Sequence, residues 1–283
     1  MRMVIDSNVL KDDVLREYLV KSRKNIALVT DYIMIEALKG DTLNKIFGLM
    51  KILSEFPKQI IVLKSMRSVS QLKGRRSGMT RRMIEPDQTK GFENWCAGLT
   101  KAAAGDKNYQ QQLVESGKEA AEQLDRILAD QSSYGAIIVN EAKNYTQDEL
   151  RILRTDEPYT PAMVDKMTER IVSLTITFFE QHPHDLRPPT VLELPYTFIF
   201  RLAVCAYLQA LSRIRDGAQN IKADKIANDV VDATFAAYAT YFQGLLSNDA
   251  KADALYRNAK YALKGFPVSP DKLVGGARQL GLT

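Results

Sequence analysis

The sequence predicts an α/β fold that is interrupted by a mostly α-helical insertion. Short apolar runs alternate with amphipathic helical patterns at both ends of the chain, as is typical of parallel sheets whose strands are joined by helices. Between these ends, segment 64–222 carries helical periodicity and, apart from a short apolar run at 136–139, no strand pattern. We therefore expect a discontinuous α/β domain, 1–63 and 223–283, and a helical insertion subdomain, 64–222.

The beginning of the chain is predicted to form strand, helix, helix and strand. In order, the predicted elements are a strand at Met3–Ile5, a helix at Asp12–Ser22, a strand at Ile26–Thr30, a helix capped by Asp31 that continues to Leu38, and a helix capped by Asp41 that ends at Pro57. Ile60–Leu63 then supplies four consecutive aliphatic residues, which is typical of a strand buried on both faces of a parallel sheet.

The insertion and the end of the chain carry their own start and stop signals. Thr146 and Glu149 predict a capping box, and Thr160 with Pro161 predicts the N-cap and first residue of another helix. The remaining predicted elements are a long apolar helix at about Leu194–Ile214, a helix at Asp224–Phe242, a short strand at Gly244–Ser247 and a helix at about Ala250–Leu263. The chain therefore returns to an α/β pattern after the insertion.

Composition excludes several classes of protein. The 283 residues are 45% hydrophobic and 26% charged, a globular balance, and 15 Gly with 10 Pro are too few for a disordered or collagen-like chain. Cys96 and Cys205 form neither a disulfide framework nor a metal-ligand spacing. The most apolar stretch, 196–211, contains Arg201 and is too short to span a bilayer. We expect a cytoplasmic protein that does not bind membranes.

The net charge of +5 is concentrated in one place. A stretch without acidic residues, called here the basic segment (64–82), carries the cations Lys64, Arg67, Lys73, Arg75, Arg76, Arg81 and Arg82. These charges exceed the net charge of the whole chain, so the remainder is close to neutral. One interpretation is an arm that contacts the phosphates of a nucleic acid, and the other is a solvated surface loop.

Several carboxylates stand where strands end or helices begin. Asp6 ends the first predicted strand and Asp249 follows the last one, and ligands of open parallel sheets gather outside the carboxyl ends of strands. Glu36 lies among apolar neighbours on a short helix, where we expect it to be partly buried and to need a partner. Asp229 and Asp232 are expected in the first turns of their helix, where the helix dipole favours negative charge.

Four short stretches resemble the motifs of PIN-domain nucleases, in the order in which that family carries them. The stretches are Val4-Ile5-Asp6-Ser7-Asn8-Val9-Leu10, Val29-Thr30-Asp31 through Ile35-Glu36-Ala37-Leu38, Asp232-Ala233-Thr234-Phe235-Ala236-Ala237-Tyr238-Ala239, and Leu246-Ser247-Asn248-Asp249. The chain departs from the simple family pattern by the long insertion between the second and third motifs. Asp229, three residues before Asp232, is an alternative to it in the third motif.

The resemblance implies a three-layer α/β/α sandwich with a central parallel sheet and a site for Mg²⁺ or Mn²⁺. By motif matching, the metal ligands and catalytic residues are Asp6, Glu36, Asp232 and Asp249, supported by Asn8, Asp229 and Ser247. Clustered carboxylates repel one another unless a cation lies between them, and hard divalent ions prefer oxygen ligands. A metal at such a site would assist the attack of water on a phosphodiester.

Three hypotheses about function follow from these patterns. The first is a metal-dependent endonuclease that acts on RNA, with single-stranded DNA as the alternative substrate, in the role of a toxin or a defence effector. The second is a helical binding or scaffold protein whose PIN-like part does not cut. The third is a nuclease that is active only within a larger complex. The insertion would shape substrate choice, mediate self-association into a homo-oligomer, or bind an antitoxin or another regulatory protein.

Overall fold

The structure is a computed structural model that describes residues 1–75, 77–130, 141–155, 157–190, 192–217 and 223–265. Its described residues divide into two compact units. The first unit comprises Met1–Val69, Thr80–Asp130 and Tyr241–Asp253, and the second comprises the described residues within Ser70–Met79, Gln131–Thr240 and Ala254–Thr283. Each unit is described by itself below.

A parallel sheet of four strands forms the centre of the first unit. The strands are β1 (Arg2–Ile5), β2 (Ile26–Val29), β3 (Ile60–Val62) and β4 (Gly244–Leu246), arranged in the order β3-β2-β1-β4. The α/β class and all four strand positions predicted from sequence are confirmed, with ends that differ by one residue. Because β1 pairs with β4 in the register Ile5↔Leu246, the first and last strands end side by side.

Apolar residues of the strands explain why this sheet is buried. Val4, Ile5, Leu28 and Val29 are fully buried, as expected for strands covered on both faces. The outer edge of β3 is also covered, because the Thr89 hydroxyl accepts a hydrogen bond from the Val62 amide at 3.0 Å. The carboxyl ends of the four parallel strands form one edge of the sheet, called here the carboxyl edge.

Helices of the first unit connect and cover the strands. They are α1 (Asp13–Lys21), α2 (Asp31–Leu38), α3 (Thr42–Glu55), α4 (Met66–Ser70), α5 (Met79–Arg82), α6 (Pro86–Ala103) and α7 (Lys107–Asp130), although α4 and α5 each reach into the second unit at one end. α7 packs on α2 and α3, and α6 packs on β3. At Gly117 of α7 a Cβ would lie 2.2 Å from Thr42 Oγ1, so this helix approaches the α2–α3 corner too closely for any side chain.

The second unit is helical. Its helices are α8 (Gln147–Thr155), α9 (Pro161–Glu180), α10 (Phe198–Arg215), α11 (Ala223–Ala239) and most of α12 (Ala250–Gly265), whose first turn belongs to the first unit. α10 packs against α8, α9 and α11, and its Phe198 ring lies 4.7 Å from the Tyr238 ring of α11. The described part of 64–222 contains no β-strand, as predicted.

Buried polar contacts tie the helices of the second unit together. Arg170 donates two hydrogen bonds of 2.9 Å to Glu141, which is only 3% exposed. Close to this pair the hydroxyls of Tyr145 and Tyr207 form a short hydrogen bond, and burial raises the pKa of Tyr145 to about 12. The buried Glu141 carboxylate and the two phenols thus each have a hydrogen-bond partner, as buried polar groups require, while the Arg170 side chain is 38% exposed.

Most start signals in the sequence act as predicted. The Thr146 amide donates to Glu149 at 2.8 Å while the Thr146 hydroxyl accepts from the Glu149 amide at 3.3 Å, which confirms the capping box. Thr160 caps α9 as predicted. The long helix predicted from Leu194 begins later, at Phe198, because Thr197 accepts a hydrogen bond from Phe200 and so caps α10 there.

The two units differ from the domain boundaries predicted at residues 63 and 223. Helices α6 and α7 belong to the first unit although they lie in the predicted insertion, because they bury their apolar faces against β3 and the α2–α3 corner. Helix α11 belongs to the second unit because it packs along α10. The apolar run predicted at 136–139 lies outside the described residues.

Candidate active site

Asp6 lies at the carboxyl edge of the sheet, directly after β1. The residue is only 6% exposed, and its amide donates to Leu246 O at 3.0 Å, which extends the pairing of β1 with β4 by one residue. Its carboxylate accepts hydrogen bonds from Asn8 Nδ2 and Ser247 Oγ, each at 2.7 Å and both on Oδ2, and from Ser7 Oγ at 3.4 Å on Oδ1. The most buried acidic group at this edge is thus held in one orientation by neutral donors.

Residues that follow β4 complete this polar cluster. Ser247 Oγ accepts from Asn8 Nδ2 and from the Asp249 amide, both at 3.0 Å, while it donates to Asp6. Asn8 Oδ1 in turn accepts from the Asn248 amide at 3.0 Å. The structure therefore brings together Asp6, Asn8 and Ser247, and it places Asp249 one hydrogen bond further along the same chain of contacts.

Asp249 is exposed and immediately precedes α12, which begins at Ala250. Its Oδ1 accepts from the Lys251 amide at 2.7 Å, and its carbonyl accepts from the Asp253 amide at 3.0 Å. This is the geometry of a helix N-cap, which uses one carboxylate oxygen. Capping therefore explains the presence of an acidic residue at this position, and it is compatible with a second role for the same carboxylate.

Asp31 is a carboxylate at the same edge that was predicted from sequence only as a helix cap. It is the first residue of α2 and is separated from the end of β2 by Thr30 alone, and its carboxylate accepts from the amides of Tyr32 and Met66. Burial raises the pKa of Asp31 to about 6. The available signal was the one that singled out Asp6, an acidic residue directly after a buried apolar run.

Glu36 has a partner within its own helix. The predicted partial burial is only moderate, since the side chain is 39% exposed, and Lys39 Nζ lies 2.7 Å from its carboxylate. The environment of Glu36 therefore does not by itself require a metal ion, because the neighbouring ammonium satisfies the carboxylate. The predictions that Glu36 is partly buried and needs a partner are confirmed, and Lys39 of the same helix is that partner.

Asp229 and Asp232 belong to the second unit and lie in the interior of α11, which begins at Ala223. The helix begins within one residue of its predicted start, and both aspartates lie beyond its first turn, where the dipole has little effect on their charges. Asp229 is 3% exposed and accepts two hydrogen bonds from Arg213, whose pKa is raised by this contact. Arg213 thus occupies the Asp229 carboxylate, and the charge of Asp232 also acts on the same guanidinium.

The donor chemistry at the carboxyl edge fits a hydrated magnesium ion only in part. Asp6 and Asp249 offer carboxylate oxygens, and Mg²⁺ commonly binds through one or two carboxylates while it keeps several waters. Across the described ranges, however, no three Asp, Glu, His or Cys side chains come close enough to hold a metal ion together. The four-carboxylate set, and with it the metal, stays a prediction.

The basic segment is anchored at several points. Gly74 is buried in the second unit, where a Cβ would lie 2.6 Å from Glu193 O and 2.8 Å from Thr197 Cγ2, so no side chain fits there. The flanking Lys73 and Arg75 are exposed. In the first unit the residues Arg67 and Arg81 are exposed and Lys64 and Arg82 are partly exposed, whereas Arg76 lies outside the described residues.

No protein-family model, curated protein or solved structure shows significant similarity to this chain. Within the part of the chain that the structure describes, no helix combines the length and the apolar character needed to cross a bilayer.

Proposed function

We propose that this chain is a metal-dependent endonuclease that hydrolyses phosphodiester bonds of RNA, and that its first unit is a PIN-like α/β/α sandwich. The observation that carries the proposal is the contact between the Asp6 carboxylate and Ser247, which come from opposite ends of the chain and meet where β1 and β4 end. These residues belong to the first and fourth stretches that resemble PIN motifs. Burial of a carboxylate costs free energy, so the stability of the sheet alone does not explain an aspartate at this position.

Neighbouring side chains hold the Asp6 carboxylate in a fixed orientation. Asn8 and Ser247 both donate to Asp6 Oδ2, so they fix the plane of the carboxylate and leave Oδ1 with only the weak contact from Ser7. Asp6 and Asp249 would hold Mg²⁺ or Mn²⁺, with Glu36 and Asp232 as the predicted further ligands. A divalent ion bound there supplies positive charge for the scissile phosphate and lowers the pKa of water.

The test is cleavage of short RNA and single-stranded DNA oligonucleotides by the purified chain in Mg²⁺, in Mn²⁺ and in excess chelator. We expect cleavage that depends on the metal and is lost in Asp6→Asn, because the amide removes the negative charge with little change in shape. Asp13→Asn is the matched control, since its carboxylate is 81% exposed on α1. If Asp6→Asn folds normally and cleaves as fast as Asp13→Asn, the proposal is overturned.

A non-catalytic binding protein is the second candidate function. Two observations favour it: the lack of a three-carboxylate group among the residues described, and the Glu36–Lys39 ion pair. It predicts that the chain binds nucleic acid or a protein partner but cleaves neither RNA nor DNA in any divalent metal. A toxin or defence role, with an antitoxin or another regulator, would be proposed only if cleavage is found.

A further inference from the structure

The two ends of the basic segment return to the same place in the first unit. Leu63 and Ile84 form an antiparallel bridge, and the Lys64 amide donates to Met83 O at 2.8 Å. This pairing places the backbone at the start of the segment beside the backbone at its end. Lys64 is thereby brought beside the end of the segment that carries Arg81 and Arg82, although the sequence separates them.

Buried neighbours hold these ends in place. Val69 and Met83 are fully buried, and the Asp31 carboxylate accepts a hydrogen bond from the Met66 amide at the start of α4. Arg67 and Arg81 stay exposed on this anchored backbone. The cations are therefore presented from fixed points, which argues against the interpretation of this part of the segment as a solvated loop.

The paired ends lie at the carboxyl edge that also carries Asp6. Lys64 lies just beyond the end of β3, and β3 is two strands away from β1 in the sheet. Neighbouring strands are about 4.8 Å apart, so the backbone at Lys64 is roughly 10 Å from the backbone at Asp6. The Debye length is about 8 Å at physiological salt, so these cations attract a polyanion that extends from Asp6 toward Lys64 and not one confined to Asp6.

We infer that the paired ends of the basic segment, with Lys64, Arg67, Arg81 and Arg82, bind the phosphodiester backbone of a nucleic acid and seat it beside Asp6. Cleavage of the bound nucleic acid depends on the proposed function. Its binding depends on these cations alone. The segment contains no aromatic residue and no acidic residue. Recognition is therefore by charge and not by base stacking, and it does not depend on the base sequence.

The experiment compares binding of a labelled oligouridine by variants that all carry Asp6→Asn, so that cleavage does not interfere. The test variant adds Arg67→Ala and Arg81→Ala. The control adds Arg23→Ala and Lys24→Ala, which removes the same charge from residues before β2, at the opposite edge of the sheet. Fluorescence anisotropy gives the affinity at several salt concentrations, and circular dichroism checks folding.

We expect the slope of log K against log salt to become shallower by about 1.4 in the test variant, roughly 0.7 for each phosphate that is no longer neutralised, and to stay unchanged in the control. An equal change of slope in both variants overturns the inference. It is also overturned if polyglutamate at equal charge concentration competes as well as the RNA does, which would indicate an acidic protein partner. Binding without cleavage by the unmodified chain contradicts only the proposed function.

Discussion

Ser247 Oγ donates a hydrogen bond of 2.7 Å to Asp6 Oδ2, and so joins two residues that are 241 positions apart. The contact depends on the pairing of β1 with β4, which ends both strands at the same edge. Ser247 also accepts hydrogen bonds from Asn8 and from the Asp249 amide, so one hydroxyl connects the polar groups of both strand ends. The first prediction tests this connection.

Ser247→Ala removes one donor from Asp6 and the acceptor that Asn8 Nδ2 and the Asp249 amide share. Because Asp6 is buried, we expect a loss of about 1–2 kcal/mol in the free energy of unfolding, measured by urea denaturation. RNA cleavage should also fall, since the carboxylate loses its orientation. Ser116→Ala, at a partly exposed serine of α7 outside the basic segment, should change neither quantity, and a full retention of cleavage in Ser247→Ala would contradict the orienting role.

Asp31 predicts a dependence of stability on pH. Its pKa is raised to about 6 in the folded protein, against about 3.9 in an unfolded chain, so between these values the folded state binds the proton that the unfolded state has lost. Stability from this group therefore falls as pH rises from about 4 to 6, by up to ~3 kcal/mol. The advantage of Asp31→Asn over the natural protein in urea denaturation should grow over this range.

The matched control for this prediction is Asp13→Asn, which changes an exposed carboxylate of α1 in the same unit. Its difference from the natural protein should vary little between pH 4 and 7, because an exposed ion pair contributes little to stability. A difference for Asp31→Asn that is constant across this pH range would show that the carboxyl is not buried in solution.

The ion pair of Arg213 with Asp229 is expected to contribute to the stability of the fold and not to catalysis. Arg213→Ala leaves the Asp229 carboxylate buried without its guanidinium, so we expect a loss of about 3 kcal/mol in the free energy of unfolding. Arg215→Ala, two residues along α10 and half exposed, should cost less than about 0.5 kcal/mol. Urea denaturation measures both, and equal costs would contradict the assignment.

Substitution of each aspartate in turn would show whether Asp229 or Asp232 is a metal ligand. If Arg213 occupies Asp229, then Asp229→Asn should lower stability but keep most of the cleavage per folded molecule. As a metal ligand, which the motif resemblance predicts, Asp232 should be needed for cleavage, so Asp232→Asn should lose cleavage per folded molecule. The reverse pattern in a cleavage assay normalised to folded protein would assign Asp229 as the ligand.

Gly117 of α7 predicts that this helix is seated directly on the α2–α3 corner. In Gly117→Ala the new methyl would lie 2.2 Å from Thr42 Oγ1 and 2.9 Å from Leu38 O, so we expect a loss of about 1–3 kcal/mol although alanine favours helices. Gly91→Ala in α6 meets no described atom within 4 Å and should be neutral or stabilising. Thermal unfolding of both variants decides, and a stabilised Gly117→Ala would show that α7 packs elsewhere.

Local signals in the sequence were sufficient to predict the positions of the strands and of most helix starts. The aliphatic run Ile60–Leu63 and the polar residues after Met3–Ile5 predicted strands because side chains buried on both faces of a sheet must be apolar. The capping box of Thr146 and Glu149 was predictable because its two hydrogen bonds join residues three apart. Such signals depend on neighbours in the chain and need no knowledge of the fold.

The amino-acid sequence by itself determined the α/β class, the strand positions and the acidic residues that deserve testing. Only the tertiary structure decided which of those residues have partners: Lys39 for Glu36, Arg213 for Asp229, and Ser247 with Asn8 for Asp6. It also decided that the two ends of the basic segment meet at Leu63 and Ile84. The physical reason is that the interaction of two charges depends on their distance in space, which the fold sets. A helix or strand depends instead on the periodicity of side chains along the chain, which the sequence shows directly.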